Sequence, residues 1–200
     1  MKKIRNEGKH LDLGCGKFPR NPYDRQFLYG VDIRDIDFNE KLSFEYKKAN
    51  LITQKIPYPD SYFASVSAFD FLEHVPRVWI KDDGSTSFPF IDLMSEIYRV
   101  LEPGGKIYAL TPFYPRAEVF QDPTHVNFIS KDTHKYFCGA KPFAKIYGFE
   151  GTFKCLRASR VAPISAMEGL DGGIKQAFRH LRKFVKNRLT HLIWEFEAIK

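Results

Sequence analysis

The chain has 200 residues, of which 44% are hydrophobic and 28% are charged. This length and composition predict one globular domain over residues 1–200 and exclude a low-complexity chain. No apolar run approaches the ~20 residues that cross a bilayer, and no apolar signal segment follows Met1. We therefore expect a cytoplasmic protein without a transmembrane segment. Three scattered cysteines predict no disulfide framework.

The net charge of +7 comes mostly from one segment near the C-terminus. Residues 174–188 hold six basic side chains and no acidic one, namely Lys175, Arg179, Arg182, Lys183, Lys186 and Arg188. Acidic and basic residues nearly balance in the rest of the chain. The basic character therefore does not predict that the whole protein binds nucleic acid.

Short apolar segments alternate along the chain with turns and with segments of helical periodicity. Strands are predicted over 9–13, 27–32, 45–49, 63–69, 106–112, 151–161 and 191–199. Helices are predicted over 89–102 and 130–138. In the first of these helices, apolar residues recur at helical spacing after Pro89, which indicates a helix that packs on the sheet.

The first two strands end in residues that suit a nucleotide pocket. Strand 9–13 runs into Gly14, Cys15 and Gly16, and strand 27–32 ends in Asp32. Glycines let the backbone approach a ligand closely, and an acid at the end of the second strand accepts hydrogen bonds from ribose hydroxyls. The pattern is typical of a doubly wound α/β fold.

This glycine loop does not fit a dinucleotide-binding protein. That fingerprint needs a third glycine three positions after Gly16, where this chain has Pro19. Proline has a fixed φ and no N–H group, so it cannot replace a glycine in a closely packed first helical turn. A pyrophosphate site at that helix N-terminus is therefore not expected.

Five segments in succession resemble the class I S-adenosylmethionine-dependent methyltransferase superfamily, in particular its small type 11 members. They are residues 10–16, 50–51, 56–63, 65–75 and 96–106. The first contains Asp12 two residues before Gly14, and the last ends a helix at a Pro-Gly-Gly turn before a strand begins. The resemblance covers roughly residues 9–161.

The resemblance implies a Rossmann-like α/β fold with a seven-stranded, mostly parallel sheet, an antiparallel last strand and helices on both faces. It also implies S-adenosyl-L-methionine as the cofactor, with Asp32 at the ribose and the glycines at the methionine end. The cofactor-binding positions carry over onto Asp12, Gly14, Cys15, Gly16, Asp32, Ile33, Asn50, Leu51, Ala68 and Phe69.

Two segments depart from the family pattern. Pro19 and Pro22 stand where a first helix would run, so we expect that helix to be short or replaced by a turn. Residues 162–190 replace a tight turn between the last two strands, and a basic helical insertion is predicted there. Either its apolar stripe packs on the domain, or residues 174–188 bind an anionic surface such as a membrane or a polyanionic substrate.

Candidate catalytic residues follow the fourth and fifth strands, where ligands bind in such folds. His74 follows the fourth strand, and Asp122 and His125 lie in a polar segment after the fifth that loosely resembles sugar- and polysaccharide-cluster members of the superfamily. We predict that Asp122 orients His125 and that His125 accepts a hydroxyl proton. The alternative is that Asp122 caps a turn and His125 only packs, and that Glu73 and His74 only cap and orient a turn.

No metal site is predicted. His125, His134 and Cys138 are the nearest approach to a ligand set, but their spacing matches no usual zinc pattern.

The sequence thus predicts transfer of a methyl group to a hydroxyl or an amine of a small molecule or a glycan. An RNA or protein methyltransferase is an alternative, with nucleic acid the less favoured partner. A catalytically degenerate scaffold of the same fold is an alternative of another class, supported by the altered turn after Gly16.

Overall fold

The computed structural model describes residues 6–36, 43–163 and 188–200. The predicted helical insertion and the basic segment 174–188 lie outside these residues except at their ends, so both stay predictions. None of the helices in the described part is long and apolar enough to span a membrane.

The elements alternate as the sequence predicts. The described strands are β1 Asn6–Leu13, β2 Arg25–Asp32, β3 Glu45–Lys48, β4 Phe63–Phe69, β5 Trp79–Ile80, β6 Thr86–Ser87, β7 Leu101–Pro112, β8 Phe153–Val161 and β9 His191–Ala198. The described α-helices are α1 Pro89–Val100 and α2 Glu118–Gln121. Strands β5 and β6 form a small hairpin of their own.

The other seven strands form one sheet in the order β3-β2-β1-β4-β7-β9-β8. Neighbouring strands are parallel except where β9 pairs with β7 and β8, and both of those pairings are antiparallel. The predicted mostly parallel sheet with an antiparallel last strand is confirmed. Because β1, β2, β4 and β7 run in one direction, the residues that follow them meet at one edge, here called the carboxyl edge.

Helix α1 covers one face of the sheet and is the only described helix longer than five residues. Its buried residues Phe90, Leu93, Met94 and Ile97 join the main core, which includes Leu11 and other side chains of the sheet. Leu101 ends the helix and opens β7 directly, and the strand takes up the following Pro-Gly-Gly residues as a bulge against β4.

Two predicted helical regions differ in the structure. No helix joins β1 to β2, as the prolines indicate, and residues 14–24 form turns. The predicted helix over 130–138 is wrong, because only a single 3₁₀ turn, Thr133–Tyr136, forms there. Thr133 Oγ1 accepts the Ser130 N–H group, and Cys138 then pairs with Phe153 of β8, so the chain turns into the sheet instead of continuing a helix.

The other face of β1 and β4 carries a buried polar chain. Ser67 donates to Asp12 Oδ1 at 2.5 Å, so its oxygen accepts from His10 Nε2 at 2.8 Å, and His10 Nδ1 in turn accepts from Ser65 at 2.8 Å. Burial lowers the pKa of His10 to about 3, which keeps this imidazole neutral. The chain fixes Asp12 immediately before the glycine loop.

Candidate active site

The glycine loop at the carboxyl edge has a backbone that L-residues rarely adopt. Gly14 and Gly16 have φ values of +64° and +56°. The N–H groups of Gly14 and Cys15 both donate to the Val31 carbonyl, which ties the loop to β2. The Cys15 thiol packs against Gly30, where an added Cβ would lie 2.6 Å from the sulfur. Cys15 therefore occupies the space beneath the loop.

Phe71 lies against the same loop. An added Cβ on Gly14 would lie 2.7 Å from the Phe71 ring, a distance that real Cβ atoms do not tolerate. The loop and the segment after β4 therefore touch only because position 14 has no side chain.

Two buried carboxylates anchor the loop. The Arg20 N–H group donates to Asp12 Oδ2 at 2.8 Å, and the Gly16 N–H group donates to Asp32 Oδ2 at 2.9 Å. Burial raises the pKa of Asp12 to about 6, although hydrogen bonds from Ser67 and Arg20 lower it in part. Both acids that the sequence places in the cofactor site thus shape the loop between β1 and β2.

Asp32 also forms a two-point ion pair with Arg34. Arg34 Nε lies 2.9 Å from Oδ1 and Nη2 lies 2.8 Å from Oδ2, while the Arg34 N–H group donates to Oδ1. Burial alone would raise the pKa of Asp32, but the bonds from Arg34 and Gly16 outweigh it and lower the pKa to about 2. The Arg34 side chain itself is 64% exposed. Asp32 is thus ionised and covered by a largely exposed side chain.

The remaining predicted cofactor positions differ in their surroundings. The side chains of Ala68 and Leu51 are buried in the main core and pack against its other residues. Phe69 stacks on Tyr108 in a second core cluster. Ile33 is 55% exposed beside Asp32. The side-chain oxygen of Asn50 caps a turn by accepting the Ile52 N–H group.

A second group of side chains gathers after β4 and β7. Residues Leu72–His74 form a 3₁₀ turn two residues beyond β4. The His74 ring meets the His125 ring edge to face, with centroids 4.9 Å apart. The Glu73 carbonyl accepts the N–H groups of Val126 and Asn127, both at 2.9 Å. Two of the predicted catalytic residues, His74 and His125, are therefore held together at the carboxyl edge.

Hydrogen bonds fix the tautomers of both histidines. Thr124 Oγ1 donates to Asp122 Oδ1 at 2.6 Å, so it accepts from His74 Nδ1 at 3.0 Å. His125 Nδ1 donates to the Val119 carbonyl at 3.0 Å. The neutral form of each ring therefore carries its proton on Nδ1 and has its lone pair on Nε2.

The expected partner of Asp122 is corrected by this geometry. Asp122 accepts both the N–H and the hydroxyl of Thr124 and acts on His74 through that hydroxyl, whereas His125 is oriented by Val119. The reason is local, because the short turn after Pro123 brings Thr124 back over the carboxylate.

Glu73 is the buried member of the group, with 1% of its surface exposed. Neither of its carboxyl oxygens has a hydrogen-bond partner of normal geometry among the described residues. Its Oε1 lies 3.9 Å from His125 Nε2. Burial raises the pKa of Glu73 to about 8, with the nearby Thr111 hydroxyl opposing the shift. The sequence shows Glu73 next to His74, but not its burial or its approach to His125.

A cavity of about 520 Å³ lies on the α1 side of the sheet, where Phe90 and Ile91 of that helix line it. Arg77 forms one wall and bonds to Asn127 Oδ1 at 2.6 Å, and Asn127 in turn bonds to the Glu73 carbonyl. Five of the cavity's eleven lining residues are aromatic, namely Phe88, Phe90, Tyr136, Phe137 and Tyr147, and Arg77 and Asp132 are charged. Such a lining suits a flat apolar group or the face of a sugar ring.

Comparisons with known proteins agree with the resemblance read from the sequence. Residues 11–109 match a family model described as a methyltransferase domain. No curated protein matches the chain.

Solved structures share the fold at low sequence identity. A candidate methyltransferase in complex with the Haloferax volcanii methyltransferase activator Trm112 has a TM-score of 0.59 and 12% identity, over 98% of this chain and 85% of that one. A candidate methyltransferase of Bacillus halodurans has a TM-score of 0.57 and 15% identity, over 98% and 95%. An S-adenosylmethionine-dependent methyltransferase of Archaeoglobus fulgidus has a TM-score of 0.53 and 19% identity, over 94% and 85%. These structures confirm the predicted fold, and the match of residues 11–109 to the methyltransferase-domain model supports the predicted superfamily.

Proposed function

We propose that this chain, which belongs to the class I S-adenosylmethionine-dependent methyltransferase superfamily, methylates a hydroxyl group of a small molecule or a glycan. One observation carries the proposal. In the segment from Phe71 to His74, Phe71 packs on the glycine loop and His74 packs against His125. Glu73, His74 and His125 are here called the histidine group. The chain thereby sets a methyl-donor site beside groups that can deprotonate an acceptor.

The residues at the glycine loop fit the cofactor of this superfamily. Gly14 and Gly16 hold the positive φ values of the loop, and Asp32 presents an ionised carboxylate at the end of β2. Arg34 now bonds to both Asp32 oxygens, so its exposed side chain has to turn away before ribose hydroxyls can take its place. We assign Asp32 to the ribose and the glycine loop to the methionine end.

When bound, S-adenosylmethionine supplies a sulfonium methyl group that is ready for in-line displacement. The protein then has two tasks, which are to align the acceptor oxygen and to remove its proton. His125 suits the second task, because its Nδ1–H bond to Val119 leaves Nε2 unprotonated. His74 offers a ring nitrogen within 4.8 Å of ligand atoms of Glu73 and His125. His125 is accordingly the principal catalytic residue of this proposal, and His74 assists it.

The acceptor class follows from the cavity. Five of its eleven lining residues are aromatic, and Arg77 and Asn127 connect it to Glu73. Aromatic rings bind sugar faces and flat apolar groups without needing charge on the ligand. This supports a glycan or a small apolar alcohol as the acceptor.

A non-catalytic protein of the same fold is the second candidate. The observation in its favour is the Asp32–Arg34 pair, which occupies the carboxylate that the ribose needs. In that case the chain would not bind the cofactor at all, and Arg34 would be a permanent part of the loop.

A tritiated-methyl transfer screen tests the proposal. The wild-type chain is incubated with labelled S-adenosylmethionine and with panels of hydroxylated small molecules, glycans, RNA and protein. Label should appear in the first or second panel and should be lost in the His125→Ala variant. Label in RNA or protein alone would reject the acceptor class. Transfer that survives in His125→Ala would reject the assigned role of His125.

A further inference from the structure

Three potential ligand atoms converge at the carboxyl edge. Glu73, His74 and His125 each offer one atom, and these atoms all lie within 4.8 Å of one another. Glu73 and His74 follow β4, whereas His125 follows β7 and α2. The two segments are tied together where Val126 and Asn127 bond to the Glu73 carbonyl. The cluster is therefore an ordered part of the fold.

The described hydrogen bonds leave a ligand atom available on each of these three side chains. Both histidines have used their Nδ1 protons elsewhere, so Nε2 of each presents a lone pair. The Glu73 carboxyl is buried with no hydrogen bond of normal geometry among the described residues, although the Thr111 hydroxyl lies near it, and at 3.9 Å it is too far from His125 Nε2 to share a proton. Burying such a group without a partner costs free energy, and a cation between the three atoms removes that cost.

We propose that Glu73, His74 and His125 bind a divalent transition-metal ion such as Zn²⁺. Two imidazole nitrogens and one carboxylate oxygen form a ligand set that suits Zn²⁺, Fe²⁺ or Ni²⁺ better than Mg²⁺ or Ca²⁺, which prefer oxygen ligands. Three protein ligands leave a fourth position open, as in catalytic zinc sites. Metal–ligand bonds of about 2.0–2.2 Å require the three atoms to draw closer together on binding.

The outer contacts of the histidines support this assignment. Histidine ligands usually donate their second N–H group to a carboxylate, a carbonyl or a water molecule, which fixes the tautomer and the ring orientation. His125 donates to the Val119 carbonyl, and His74 donates to the Thr124 hydroxyl, which Asp122 holds. This gives Asp122 a positioning role for His74.

Binding of the ion does not depend on the proposed function, but the catalytic role of the ion rests on that function. A hydroxyl oxygen bound at the open position would lose its proton to solvent near neutral pH, because a divalent cation lowers the pKa of a bound O–H group. His125 would then act as a ligand of the ion that activates the acceptor. With the ion bound, the Nε2 lone pair of His125 is used in coordination, so the metal replaces His125 as the group that makes the hydroxyl lose its proton.

Metal titration tests the site directly. The full chain, freed of any affinity tag and stripped with a chelator, is titrated with Co²⁺ by visible absorption and with Zn²⁺ by calorimetry. We expect one saturable ion per chain with d–d bands of a four- or five-coordinate site. Glu73→Gln, His74→Ala and His125→Ala should each weaken binding at least about tenfold. His134→Ala is the matched control, since that ring bonds to the Lys131 carbonyl and lies outside the cluster.

Thr124→Val keeps all three ligands and should weaken binding by about 10–100-fold through loss of the His74 contact. If circular dichroism shows that a ligand variant fails to fold, the affinity of Thr124→Val tests the metal site in its place. The absence of saturable binding, or unchanged affinity in Glu73→Gln and His125→Ala, would overturn the proposal. The same stripped protein is also titrated with S-adenosylhomocysteine. Binding of this ligand without binding of metal would reject the metal site and leave the proposed function standing.

Discussion

The guanidinium group of Arg34 bonds to both carboxylate oxygens of Asp32, at 2.9 and 2.8 Å. Asp32 is the acid at the end of β2 that the superfamily pattern assigns to the ribose hydroxyls. Only two residues separate the carboxylate from its partner in sequence, and the Arg34 side chain is 64% exposed. In the proposed cofactor site, the pair would therefore act as a cover that competes with the ribose hydroxyls for the same two oxygens.

Removing this cover should favour ligand binding. An exposed ion pair contributes roughly 0.2–1 kcal/mol, so Arg34→Ala should raise the affinity for S-adenosylhomocysteine by up to about fivefold. Arg34→Lys is the control, because lysine keeps the charge but loses the two-point geometry. Calorimetry measures both. A loss of affinity in Arg34→Ala would show that Arg34 holds the ligand and does not compete with it.

Position 14 should tolerate a side chain less well than another glycine of similar backbone. Gly14 and Gly104 have φ values of +64° and +73°, so alanine at either position costs about 1–2 kcal/mol of backbone strain. Only at position 14 does the new Cβ meet a ring, that of Phe71, and position 104 has nothing within 4 Å. Gly14→Ala should therefore destabilise the protein more in urea unfolding. Equal destabilisation of the two variants would contradict the close contact.

The buried polar chain beneath the loop should give two opposite pH effects on stability. Burial lowers the pKa of His10 from 6.5 to about 3, so its contribution is complete above pH 6.5 and is lost as the pH falls. Burial raises the pKa of Asp12 from 3.8 to about 6, so ionisation of Asp12 lowers the stability as the pH rises through that window.

Free energies of unfolding between about pH 4 and 6.5 test these signs. His10→Gln should flatten the loss of stability on acidification, and Asp12→Asn should make it steeper. A steeper acid loss in His10→Gln would show that this imidazole is charged in the folded protein.

Loss of His125 should affect turnover far more than ligand binding. With an acceptor in hand, His125→Ala should lower kcat by roughly 10²–10⁴ while the affinity for S-adenosylhomocysteine stays near that of the wild type. Initial rates and calorimetry give the two readouts. Near-normal turnover would reduce His125 to a packing residue.

Most of the sheet is predictable from the sequence because its signals are local. Apolar runs bounded by turn residues predict β4 as Phe63–Phe69, as the structure has it, and place the last strand from His191. The glycine loop follows from Gly14, Gly16 and Asp32 alone. The helix predicted over 130–138 fails because contacts with β8 outweigh the local preference.

The histidine group cannot be read from the sequence in full. Glu73 and His125 are about fifty positions apart, and only the parallel pairing of β4 with β7 brings their loops together. The free Nε2 atoms depend on Thr124 and Val119, which carry no chemical signal of their own. The sequence shows Arg34 two residues after Asp32, but its bonds to both carboxylate oxygens depend on the turn that follows β2.

Calorimetric titration of the full chain with S-adenosylhomocysteine, beside its Asp32→Ala variant, tests the central claim most directly. The account predicts one binding site per chain and an affinity at least tenfold weaker in the variant, since two charge-assisted hydrogen bonds of ~1.5–3 kcal/mol each are lost. No binding by the wild-type chain, or equal affinity in Asp32→Ala, would contradict it.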